Sequence, residues 1–305
     1  AVAARRQAGA RGVVVAMAAA AALGWALGSE LLVDPWQPHS LLFPVLCYLV
    51  LVWGMACGDI VLLPWAVGLA SFVVQTHVGY ALVVPLLGAW GVGVAAARLW
   101  RQRCTDPGAW PARRRRLAVV AGASLVVAAL CWAQPLHEQL FGDGRGNLSR
   151  LASGLTRSEK TIGFATAPRY VADVLALPPW WGRPSASEAF APYSLLPSAA
   201  AAVVGLGLLV LALVAGIVVG RRRGDSPGLA AAATGLVVLI VAVGAASTMP
   251  VGVLGVAPHH LRWLWPVAVF VTFALALPLL APPGRGRAAR VGLALVGMAA
   301  VALGV

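Results

Sequence analysis

Read for polarity alone, the chain is a succession of apolar runs broken by polar turns. The runs cover about residues 12–28, 40–56, 60–74, 81–97 and 117–133, then 198–219, 229–246 and 263–284. A further run begins near residue 291 and stops at Val305. Each run reaches or approaches the ~20 residues with which a helix crosses a ~30 Å hydrocarbon layer. The pattern predicts an all-α fold: a polytopic helical transmembrane bundle of about nine spans.

One interval departs from this pattern. Residues 134–197 form the only long polar stretch and hold Lys160, Asn147 and five of the ten acidic residues. The interval divides the chain into a first transmembrane group (1–133), an outer loop (134–197) and a second group (198–305). Its local signals are helical. Pro135 suits the first turn of a short helix. Glycines at 142, 144 and 146 demand a turn, after which Asn147 suits a helix N-terminus. Leu148, Leu151 and Leu155 then repeat at three and four, as on a helix lying along a membrane surface. Residues 168–177 read as another amphipathic helix, closed by Pro178-Pro179-Trp180-Trp181. The loop is expected to be a cap of juxtamembrane helices.

Composition agrees. The chain is 60% hydrophobic and 11% charged, with a mean hydropathy of +0.86. A soluble domain carries about 25% charged residues. The net charge of +13 does not point to nucleic acid, because the arginines cluster at the ends of apolar runs. That placement follows the positive-inside rule. With Ala1 in the cytoplasm, 16 of the 23 basic residues fall inside, and 134–197 falls outside the cell. Trp36, Trp132, Trp180, Trp181, Trp263 and Trp265 then mark the outer interface. Cys47, Cys57, Cys104 and Cys131 show no metal or disulfide spacing and read as small hydrophobes. The start at Ala1 in a basic segment and the end inside an apolar run are those expected of a piece of a longer protein.

The same orientation gathers the unusual polar residues on the outer face. Asp34 and His39 flank two prolines; a carboxylate beside an imidazole can do acid–base work, and the plainer alternative is a solvated turn. Gln75 and His77 lie at a span end, where an interhelical hydrogen bond competes with a pocket role. Glu138, Asn147 and Arg150 belong to the loop. Arg262 precedes Trp263-Leu264-Trp265 and is either an interfacial anchor or a clamp for a phosphate. His259-His260 suggests a metal, but neighbours on a helix diverge by about 100°, so no metal site is expected.

Several short motifs carry a resemblance. They are Asp34-Pro35-Trp36-Gln37-Pro38, Gly58-Asp59, Leu63-Pro64-Trp65, Gln75-Thr76-His77-Val78-Gly79-Tyr80, Pro135-Leu136-His137-Glu138-Gln139-Leu140 and Gly146-Asn147-Leu148-Ser149-Arg150. In this succession the chain resembles a group of polytopic bacterial envelope proteins similar to the GT-C superfamily of membrane glycosyltransferases. The resemblance implies a multi-pass protein of the bacterial plasma membrane. It implies transfer of a sugar from a polyprenyl-phosphate donor to a cell-envelope glycan or lipid acceptor on the outer face. It places the catalytic carboxylate in a first outer loop, expected upstream of Ala1, and leaves metal dependence open. Asp34, His39, Gln75, His77, Glu138, Asn147, Arg150 and Arg262 become candidates for binding the donor phosphate and the sugar or acceptor hydroxyls. Two other classes compete: a transporter or flippase of lipid-linked precursors, and a non-catalytic scaffold. A transporter should show internal repeats and polar residues at mid-depth; neither is evident.

Overall fold

A computed structural model describes residues 1–142, 144, 146–155, 160–176, 179–182, 196–251, 256 and 258–280. It is helical throughout. The elements are α1 (Val2–Leu32), α2 (Gln37–Ser40), α3 (Leu42–Ala56), α4 (Leu63–Thr76), α5 (Val83–Thr105), α6 (Trp110–Phe141), α7 (Asn147–Leu155), α8 (Ala167–Leu175), α9 (Ala199–Arg222), α10 (Ser226–Ser247), α11 (Pro258–Leu261) and α12 (Leu264–Leu279). Among the described residues there is no strand, only an isolated antiparallel bridge between Thr161 and Pro250.

Among the described residues, seven helical stretches are long and apolar enough to span a membrane. The stretch Ile60–Thr76, counted as a span in the sequence, is shorter. The expected ninth span lies outside the described residues. The protein is therefore a helical membrane protein, as its composition demands. Hydrocarbon offers backbone groups no partners, and helices satisfy them internally.

Packing follows residue size. α12 lies against α1, α3, α9 and α10. A Cβ on Gly235 of α10 would stand 2.9 Å from Ala274 of α12 and from Leu213 of α9. Three helices meet there because no side chain keeps them apart. Polar ties add register: Tyr48 donates to the Val84 carbonyl at 2.6 Å, Trp53 to that of Pro227 at 3.0 Å, and Trp90 to Thr234 Oγ1 at 3.1 Å. α3 and α12 are largely enclosed, whereas α6 and α9 leave most of their apolar surface uncovered. Leu125, Leu130, Val203 and Leu211 stand exposed there, as side chains facing acyl chains would.

The two ends of the bundle differ in chemistry. One is an arginine end. The backbone of α1 is non-helical at Gly9 and Gly28, which bracket the expected first span, and the basic segment ahead of it is itself helical from Val2. Arg11 is buried in a two-point pair with Asp225 at 2.7 and 3.0 Å. Arg6 pairs likewise with Asp59 at 2.7 and 3.0 Å.

The other end carries the described residues of the 134–182 segment. α6 runs unbroken through Pro135 to Phe141, where the sequence suggested a new helix. A proline has no N–H for the carbonyl four residues back. That carbonyl, of Cys131, instead accepts a hydrogen bond from the Gln75 side chain at 2.9 Å. The two further helices are present as α7 and α8. α8 is not a surface helix; Val171, Val174 and Leu175 are buried, and it packs on α9, α10 and α12. Trp180 and Trp265 also depart from an interfacial belt. They are buried and stack on each other with centroids 3.7 Å apart.

Candidate functional site

At the end opposite the paired arginines, the loop after α1 meets the start of α12. Pro35 and Pro38 bracket a tight connection in which Asp34 turns back on its own chain. Its Oδ1 accepts from the Trp36 N–H at 2.9 Å, and its Oδ2 meets Nδ1 of His39 at 2.7 Å. These two bonds, the Trp36 N–H foremost, hold the Asp34 carboxyl below the usual carboxylate range, and the Arg262 charge acts in the same direction.

His39 is not part of a solvated turn. The residue is only 4% exposed, and its Nε2 is buried with no hydrogen-bond partner among the described residues. With the carboxylate at Nδ1, the tautomer with N–H at Nδ1 leaves Nε2 as a lone-pair acceptor. Trp36 stands edge-on to the His39 ring, with centroids 5.2 Å apart, and meets His259 at 4.9 Å on its other contact.

The His259-His260 pair divides its reach. The two rings stand at 68° with centroids 4.2 Å apart. His259 faces Trp36, and the charge of His260 bears on His77. His77 accepts the Gly79 N–H at its Nδ1 (3.0 Å), which places the neutral ring's proton on Nε2. Burial and the neighbouring His260 push the His77 pKa down. Arg262 is buried, 2% exposed, with its guanidinium 4.5 Å above the Trp265 ring. No group of three or more His, Cys, Asp or Glu suited to hold a metal occurs among the described residues.

The candidates thus separate into two sets. Asp34, His39, His77 and Arg262 converge with His259 and His260. Among these groups Asp34 is the one carboxylate and Arg262 the one guanidinium, while burial lowers the pKa of His77 and of His259. Gln75, Glu138, Asn147 and Arg150 do not join it by any hydrogen bond, ion pair or ring contact among the described residues. Gln75 is engaged on α6. The Glu138 carboxylate accepts the Asn147 backbone N–H at 2.9 Å and so caps α7. Gln139 supports the same turn, accepting from the Ser149 N–H at 3.0 Å. Arg150 is exposed on α7. Trp36 and Trp265 organise the cluster although their sequence signal was only that of interfacial aromatics. Their role depends on the approach of α12 to the first loop, which no local pattern encodes.

Compared with family models, curated proteins and the solved structures, the chain shows no significant match.

Proposed function

We propose that the protein is a membrane glycosyltransferase of the GT-C kind, acting at its histidine end. In this reading that end faces the outside of a bacterial plasma membrane. The donor is a polyprenyl-phosphate sugar and the acceptor a hydroxyl of an envelope glycan or lipid. The observation that supports it is the Asp34–His39 pair, with Nε2 of His39 buried and open as an acceptor beside Arg262.

The chemistry runs as a direct displacement. Nε2 of His39 takes the acceptor's hydroxyl proton while Asp34 holds Nδ1–H and stabilises the imidazolium. The acceptor oxygen bonds to the anomeric carbon, and the bond from that carbon to the phosphate oxygen breaks. The leaving polyprenyl phosphate gains one negative charge as it departs. Arg262 supplies the positive charge that meets it. In this scheme His39 fills the role of base.

The test is donor consumption in proteoliposomes. The purified chain is supplied with a panel of radiolabelled polyprenyl-phosphate hexoses and pentoses and with envelope membranes as acceptor. Release of free polyprenyl phosphate with label in the acceptor supports the proposal. Transbilayer movement of intact donor would indicate the flippase reading instead, and neither outcome with any donor would leave a scaffold.

A further inference from the structure

The arginine end contains a cavity of about 560 Å³ among α1, the α3–α4 turn, α5 and α6. Its polar wall is Arg6, Gln7, Asp59, Gln102, Arg113 and Arg116. The one carboxylate there is already neutralised, because Asp59 takes two bonds from Arg6 and a third from Gln7 at 2.9 Å. Arg113 is engaged with Asp106 at 3.0 Å and with the Gln102 carbonyl at 3.3 Å. Arg116 is exposed and makes no hydrogen bond or ion pair among the described residues. The cavity therefore presents an uncompensated guanidinium, with a net excess of positive charge around it.

Two further features say what kind of anion fits. Leu99, Ile60 and Leu117 line the same cavity, so its polar wall adjoins an apolar one. Trp100 lies beside it on α5, 64% exposed, and Arg103 lies over the rings of both Trp100 and Trp110 at 5.5 and 5.2 Å. Exposed Trp with Arg at the end of an apolar helix marks the headgroup level of a bilayer. A basic pocket between helix ends at that depth matches a phosphate-bearing headgroup with its first acyl carbons.

We infer that this cavity is a binding site for the phosphate headgroup of an anionic membrane lipid, with Arg116 as its principal cation. The site is separate from the histidine end and does not depend on the function proposed there. A free phosphate shares the headgroup's charge but lacks the part that Leu99 and Leu117 would cover.

The experiment uses the full chain in a neutral detergent and follows Tm by tryptophan fluorescence, with retained lipid read by native mass spectrometry. Phosphatidylglycerol, phosphatidylcholine and inorganic phosphate are titrated separately. Phosphatidylglycerol is expected to raise Tm and remain bound, and phosphatidylcholine to do neither. Arg116→Gln, which removes no contact within the fold, is expected to weaken the phosphatidylglycerol effect by about fivefold. Arg221→Gln with Arg222→Gln, basic residues that do not line the cavity, is expected to leave it unchanged. Equal responses to the two lipids, or wild-type affinity in Arg116→Gln, would overturn the site. A full response to inorganic phosphate at the same concentration would overturn its assignment to a lipid.

Discussion

Arg11 and Asp225 meet in a two-point ion pair although 214 residues separate them in the chain. Both side chains are about nine-tenths buried, at 9% and 10% exposure. The pair ties α1 to the turn between α9 and α10, two residues before Pro227, whose carbonyl accepts from Trp53. Removing one partner strands the other charge, which costs about 3–5 kcal/mol, whereas replacing both with apolar groups costs far less. Arg11→Met and Asp225→Leu are each expected to lower Tm strongly, and the double variant less than their sum. Additive losses in a double-mutant cycle would show the pair to be uncoupled.

The bond from Gln75 to the Cys131 carbonyl predicts a rescue. Gln75→Leu is expected to lose about 1 kcal/mol of stability, in line with interhelical hydrogen bonds in membranes. In a Pro135→Ala background the helix regains its own N–H donor at that carbonyl, so the same substitution should lose almost nothing. Donor turnover should follow stability alone. A Gln75→Leu variant with native stability and abolished turnover would return Gln75 to the substrate.

His77 makes stability depend on pH in a defined direction. Its native pKa is lowered by burial and by His260, so the fold favours the neutral ring. The ring's contribution is complete above the unfolded value of about 6.5, and it is lost as pH falls through the lower native value. Protonation also forfeits the bond from Gly79 N–H to Nδ1. Tm is therefore expected to fall as the pH drops below about 6.5, and His77→Gln should flatten that part of the profile. An unchanged slope in the variant would assign the acid sensitivity elsewhere.

The fold was legible wherever a signal was local. Apolar run length revealed the long helices, and the leucine spacing from Leu148 revealed α7. Pro135 misled because its usual reading as a helix start assumes that no other group satisfies the carbonyl behind it; Gln75, on another helix, does so. The burial of Arg11 was not legible either, since only the distant Asp225 makes it tolerable. The candidate site shows the same limit. Asp34 and His39 lie five residues apart and could be paired from sequence, but the burial of His39 depends on how the distant residues around α11 and α12 close over the first loop. Glu138 and Asn147 were visible as polar residues, yet the Glu138 carboxylate caps α7 at the Asn147 N–H, a structural task that composition does not reveal.

The most direct test of the account is the turnover of His39→Gln and Asp34→Asn in the proteoliposome assay, on variants whose Tm is first shown to be close to wild type. A general base contributes about 10²- to 10⁴-fold. His39→Gln is predicted to lose at least about a hundredfold in kcat, and Asp34→Asn to fall in the same direction because it no longer holds Nδ1–H. Wild-type kcat in both folded variants would contradict the assignment of chemistry to the histidine end.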